Sequence, residues 1–155
     1  MKKEEQQQIL AVEYFQKGVD KSNLKDYKRA IDYFNKANEV SPNYAIPYYN
    51  RAFVKMQLKE YKGAISDFNK AISLNPKNVM SFYYVNSYHN RARAKSFLKD
   101  YKGAISDFGK AIEEKPNFAS AYYNRGICKI KLSKKNEGNL DVAKAEELGY
   151  KIKAL

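Results

Sequence analysis

Small and aromatic residues return along the chain at steps of four and three. Ala30, Phe34 and Ala37 fall at i, i+4 and i+7, one face of a helix. Ala64, Phe68 and Ala71 repeat the pattern, as do Ala104, Phe108 and Ala111. Tyr14, Gly18 and Lys21 take the same steps on an earlier stretch. Pro42, Pro76 and Pro116 each follow one of the second stretches, and proline cannot continue a helix, so each marks a stop. Asn43 and Asn117 lie in the turns beside them. The pattern predicts an all-α chain of eight helices, at about 4–22, 26–40, 45–57, 60–74, 80–97, 100–114, 119–131 and 134–148. No stretch reads as a linker between domains, so residues 1–155 are expected to form a single array.

The helices come in pairs because the sequence repeats. Tyr61-Lys-Gly-Ala-Ile-Ser-Asp-Phe-Asn-Lys-Ala71 is matched by Tyr101-Lys-Gly-Ala-Ile-Ser-Asp-Phe-Gly-Lys-Ala111 and, with changes, by residues 27–37. A second block, Tyr48-Tyr49-Asn50-Arg51, recurs as Tyr122-Tyr123-Asn124-Arg125 and less closely as Tyr88-His89-Asn90-Arg91. The period is 34 residues, except that six extra residues enter before Asn90. An aromatic, a small residue, Ala, an aromatic, Ala and Pro stand at fixed offsets in three tandem units. They are Tyr14, Gly18, Ala30, Phe34, Ala37 and Pro42; Tyr48, Ala52, Ala64, Phe68, Ala71 and Pro76; and Tyr88, Ala92, Ala104, Phe108, Ala111 and Pro116. A fourth unit keeps Tyr122, Gly126, Gly138, Val142 and Ala145, loses the proline and ends in Leu148-Gly149-Tyr150.

That period and those residues resemble the tetratricopeptide repeat. The resemblance implies a right-handed superhelical solenoid of antiparallel helix pairs, with units at about 11–44, 45–78, 79–118 and 119–150. The last unit is expected to serve as a degenerate cap. One unit cannot bury its own apolar face, and stacking three or more makes a continuous core.

Composition narrows the chemistry. Of 155 residues, 29 are Lys or Arg and 17 are Asp or Glu, a formal net charge of +12. Only Arg29, Arg51, Arg91, Arg93 and Arg125 are arginine, the better residue for bidentate phosphate recognition. A lysine-dominated spread is weak evidence for nucleic acid, so a polyanion site around Lys131, Lys134 and Lys135 stands as an alternative reading. One cysteine, Cys128, excludes an intramolecular disulfide, and one histidine, His89, makes neither a catalytic dyad nor a His-rich metal site. The glycines are scattered, with no phosphate loop. The expectation is a non-enzyme with no cofactor and no metal. No apolar run reaches the ~18 residues of a membrane span. Met1-Lys-Lys-Glu-Glu-Gln-Gln-Gln8 has no apolar core behind it, so a cytoplasmic location is expected unless a leader or lipid anchor has been removed.

One ionic constellation recurs. Arg51, Lys55 and Asp67 match Arg91, Lys95 and Asp107, and Arg125, Lys129 and Asp141. Arg and Lys stand four apart on a first helix and Asp on the second. A ladder of ion pairs is the favoured reading, each worth about 0–1 kcal/mol if exposed. Lysines facing a partner are the alternative.

In the family the first helices line a concave groove. Carried onto this chain, the inward face includes Phe15, Gln16, Tyr49, Asn50, Phe53, His89, Asn90, Arg93, Tyr123, Asn124 and Ile127. Gln16, Asn50, Asn90 and Asn124 form an amide series. Asn is a mediocre helix former, so its recurrence needs a reason: bonding within the array, or contact with a ligand backbone. A groove of this kind would take about nine residues of extended chain. The expected partner is a protein, through an extended peptide or a helix, with a self-associating structural array as a further alternative to polyanion binding. The chaperone-tail clamp of the family is disfavoured, because Phe15 and Val19 stand on the first helix, Asn86 and Asn90 on the fifth, and only Asn50 matches. Phe82, Tyr83 and Tyr84 are candidates for a lip of the groove or a homodimer contact, or for packing on the preceding turn. They lie in the extra stretch if it is placed at 79–84, but they also resemble the start of the repeat block, which would place it later. The fifth helix should run to about 18 residues.

Overall fold

The structure is a computed structural model that describes residues 2–74 and 81–151. The expected Pro76 and the Val79–Met80 part of the extra stretch lie outside the described residues. Among the described residues there are eight helices and no strand: α1 (Lys3–Asn23), α2 (Tyr27–Val40), α3 (Ala45–Gln57), α4 (Tyr61–Leu74), α5 (Ser81–Phe97), α6 (Tyr101–Glu114), α7 (Ala119–Lys131) and α8 (Lys135–Glu147). The helix α5 has 17 residues against 13 in α3 and in α7. Val85 holds the register place of Ala45 and Ala119, so the extra length is Ser81–Tyr84 at its N-terminal end.

The chain divides into two compact units, Met1–Tyr83 and Tyr84–Leu155. In the first, α1 packs on α2, α2 on α3, and α3 on α4. In the second, α6 packs on α7 and α7 on α8. The turns inside the pairs share one device. Lys25, Lys59, Lys99 and Ser133 all adopt positive φ, from 59° to 63°. The next residue's N–H then bonds back to a helix carbonyl, as Glu60 does to Lys55 and Asp100 to Lys95, each at 2.9 Å. Asp26 and Asp100 next cap the second helices, accepting from the N–H of Arg29 (3.3 Å) and Gly103 (3.0 Å).

Within each pair a small residue faces an aromatic. Gly18 lies against the Phe34 ring, where a Cβ would come within 2.5 Å of it. In the fourth repeat Val142 replaces phenylalanine, and the gap is closed by bringing the helices nearer. Gly126 and Gly138 face each other so closely that a Cβ on either would sit 2.7 Å from the other's carbonyl oxygen.

The ionic constellation is more than a surface ladder. Asp67, Asp107 and Asp141 are all buried. Arg51 holds Asp67 through Nε and Nη2 at 2.8 and 2.5 Å, with Lys55 Nζ at 2.8 Å. Arg91 and Lys95 grip Asp107, and Arg125 and Lys129 grip Asp141, at 2.6–2.8 Å. Each guanidinium also lies over a tyrosine one turn before it: Tyr48, Tyr88 and Tyr122, at 5.3, 5.0 and 5.4 Å from ring centre. Burial works to raise the Asp141 carboxyl, but the bonds from Arg125 and Lys129 outweigh it and hold the group below its usual range. The first repeat has Tyr33 where the others have Asp. Tyr14 and Tyr33 stack at 6.5 Å instead, with Lys36 Nζ 5.8 and 5.5 Å from the two rings.

In α2 and α6 a second stripe faces the first helix that follows, α3 and α7. In α2 it is Ile31, Asn35 and Asn38, and Asn35 Oδ1 accepts from Arg51 Nη1 of α3 at 2.6 Å. In α6 it is Ile105, Gly109 and Ile112, and a Cβ on Gly109 would lie 4.0 Å from Arg125 Nη1 of α7. In α8 the same places hold Asn139, Ala143 and Glu146, all exposed.

Three variants check this account. In urea titrations of the full chain, Asp107→Asn is expected to cost about 3 kcal/mol, because it leaves two cations facing a buried neutral group. Glu147→Ala removes an exposed pair with Lys144 and should leave the urea midpoint unchanged. Gly109→Asn should raise stability by about 1 kcal/mol, since it removes a helical glycine and offers Arg125 the acceptor that Arg51 already has.

Candidate functional site

The first helices set an aromatic at one recurring place: Phe15, Tyr49, His89 and Tyr123. In three repeats the ring meets the phenylalanine of its own second helix, Phe15–Phe34 at 6.0 Å, Tyr49–Phe68 at 5.9 Å and His89–Phe108 at 5.5 Å. Each ring also meets an aromatic that follows the second helix. Tyr44 edges onto Phe15 at 5.7 Å, Tyr83 onto Tyr49 at 5.2 Å, Phe118 stacks on His89 at 4.6 Å, and Tyr150 on Tyr123 at 4.5 Å. The rings expected to floor a groove are therefore members of intramolecular stacks. Sequence reasoning missed Tyr44, Phe118 and Tyr150. The available signal was an aromatic directly after Pro-Asn, at 44 and again at 118. Burial, with Tyr83 beside it, pushes the Tyr44 hydroxyl up.

The amide series divides. Asn50 Nδ2 donates to the Ile46 carbonyl at 3.0 Å, and Asn124 Nδ2 to that of Ser120 at 2.8 Å. Both bonds are to the residue four back, so one N–H of each amide is used within the helix while Oδ1 keeps its acceptor capacity. Gln16 is exposed and donates to Asp20 at 3.0 Å. Asn90 is buried and accepts from Arg93 Nη1 at 3.4 Å. Phe53, one turn beyond Asn50, is 42% exposed, and Ile127, one turn beyond Asn124, is half-buried.

His89 is enclosed, 8% exposed, with Nε2 3.3 Å from Ser120 Oγ. Burial first, then the positive Arg93, lower its pKa to about 4 against a hydrogen bond with Asn90 that raises it. It is a neutral ring in an aromatic slot.

The three candidate lip residues differ. Phe82 projects, 66% exposed, edging onto Tyr83 at 5.4 Å. Tyr83 packs inward on Tyr49. Tyr84 pairs with Tyr88, rings 5.1 Å apart and hydroxyls 3.4 Å apart, and burial with that bond pushes Tyr88 up to about 12.

Cys128 is buried, and burial pushes its thiol up to about 11, which keeps it protonated. Among the described residues no group of three His, Cys, Asp or Glu is gathered to hold a metal, and no helix is long and apolar enough to cross a membrane. At the lysine-rich turn, Lys134 Nζ lies 3.6 Å from Glu137.

The sequence pattern of the tetratricopeptide repeat matches residues 14–44, 45–78 and 85–118, more than half of the chain. No curated protein matches it. Several solved structures do. MamA from Desulfovibrio magneticus RS-1 is 21% identical with a TM-score of 0.80, over 89% of this chain and 75% of that one. BtubC from P. vanneervenii is 14% identical with a TM-score of 0.83, over 96% and 68%. The first tetratricopeptide domain of Spaghetti (RPAP3), bound to the HSP90 peptide SRMEEVD, is 26% identical with a TM-score of 0.74, over 81% and 95%. The fold is an all-α tetratricopeptide one, and family and fold together support a protein-interaction scaffold, a class that is typically non-enzymatic.

His89 is the chain's one histidine, so its titration can be read alone. With a folded pKa near 4 and an unfolded one near 6.5, the unfolded chain binds the extra proton between these values. Stability is then full above about pH 6.5 and falls as pH drops toward 4, by at most about 1.4 kcal/mol per pH unit. Urea titrations at pH 7.5, 6 and 5 should show this slope in the wild type and lose it in His89→Phe.

Proposed function

The chain belongs to the tetratricopeptide repeat family, and on that footing we propose that the open faces of its first helices bind a partner protein as an extended segment. The observation that carries this is the state of Asn50 and Asn124. Each amide nitrogen donates to its own helix, which leaves the oxygen as an acceptor one turn from an apolar side chain, Phe53 or Ile127. A backbone N–H of an extended ligand matches the oxygen, and a ligand side chain matches the neighbour. Phe53 is open to solvent, whereas Tyr49 and Tyr123 are already stacked. Recognition thus falls to the residues beside the aromatic slots.

Spaghetti holds an acidic peptide on the same fold. In this chain Phe15 and Val19 stand where the clamp of the resemblance needs cations and amides. Arg51, Lys55, Arg125 and Lys129 are spent on buried aspartates. An acidic tail therefore finds few free cations on these faces, and an apolar segment suits them better.

Selection of random 12-residue peptides against the full chain, followed by affinity measurement, tests the reading. Asn50→Ala and Phe53→Ala, with helicity unchanged, are each expected to weaken the recovered peptide about tenfold, about 1.4 kcal/mol. SRMEEVD should bind no better than its scrambled form. Peptides that bind both variants like the wild type, or no recovered peptide beside strong, salt-sensitive RNA binding, would overturn the proposal.

A further inference from the structure

The second-helix stripe departs from its pattern at one buried place. The third position is Ile72 in α4 and Ile112 in α6, but Asn38 in α2. Asn38 is 6% exposed, and neither its Nδ2 nor its Oδ1 has a hydrogen-bond partner. Asn35, three residues before it on the same face, bonds Arg51 of α3, so this face of α2 is turned to α3.

A carboxamide buried without partners has given up its bonds to water and gained none. The penalty weighs on one contact. Opening α2 from α3 returns both amide atoms to water. The α1–α2 contact holds the Phe34 ring against Gly18 of α1, an apolar contact that gains nothing by opening. Arg51 loses little when α2 leaves, because Asp67 keeps two of its bonds and Lys55 stays beside it. What holds the contact shut is Val54 of α3 against the Phe34 cluster, the Asn35 bond and the Tyr44–Phe15 edge.

We propose that the α2–α3 contact is a built-in seam, at which α1 and α2 open from α3 as one block while α3 and α4 stay folded. Opening carries Phe15 and Gln16 away from the α3 face. If the open faces of the first helices proposed above include that of α1 beside α3, binding favours the closed seam. The seam does not rest on that reading, and exchange measured without ligand tests it alone.

The experiment is native-state hydrogen exchange of the full chain, resolved by helix. Amides of α1 and α2 should share one protection level, at least tenfold below that of α3 and α4. In Asn38→Ile, which places at 38 the residue already present at 72 and 112, exchange from α1 and α2 should slow tenfold to a hundredfold. Equal protection of α1–α2 and α3–α4 in the wild type would overturn the proposal. So would unchanged α1–α2 exchange in Asn38→Ile.

Discussion

A carboxylate removed from water must be met on both oxygens, or burying it costs more than it returns. Asp67, Asp107 and Asp141 are met in the same way, and much of the structure follows from that. The fork of Arg51 takes both oxygens of Asp67 and Lys55 adds a third bond, which fixes how far α3 and α4 slide along each other. Tyr48 lies under the guanidinium and adds a cation–π contact to the pair. The remaining arm, Nη1, then points at the second helix of the preceding repeat, where Asn35 receives it. One buried charge thus orders a helix pair internally and sets its contact with the pair before it.

Volume supplies the second constraint. A ring at Phe34, Phe68 or Phe108 fills the space between two helices when the residue facing it is Gly or Ala. When the ring shrinks to Val142, the space is removed by a closer approach of Gly126 and Gly138. Phe15, Tyr49 and His89 extend the same packing outward, each caught between the second-helix phenylalanine and an aromatic that follows that helix, while Tyr123 stacks on Tyr150. His89 shows that the slot asks for a flat ring more than for a particular residue, since burial keeps it uncharged there.

The fold was legible because its determinants are periodic. Alanines and phenylalanines four and three apart gave the faces, and the prolines gave the stops. The Arg, Lys and Asp partners were legible for the same reason, but their burial was not, because spacing says which groups meet and not how much water remains between them. Tyr44, Phe118 and Tyr150 went unread because they sit in turns, outside any helical period. Lys25, Lys59 and Lys99 resemble ordinary surface lysines, and nothing in their type signals a left-handed backbone. Asn38 stood in plain view opposite Ile72 and Ile112, yet only coordinates show both its amide atoms enclosed without partners.

These facts bear together on where specificity can reside. The most aromatic positions on the first helices are occupied by the protein's own rings, and its most conspicuous cations by its own aspartates. Those interactions leave over the oxygen of Asn50 and the open ring of Phe53 in the first unit, and the oxygen of Asn124 in the second. On the proposed reading, the repeated residues build the frame and the residues between them read the partner. Asn38 is a departure from the repeat inside the frame itself, and there it loosens a contact without creating a surface. In a fold assembled from copies, departures from the repeat are where individual behaviour has room to arise, on the open face as recognition and in the interior as motion.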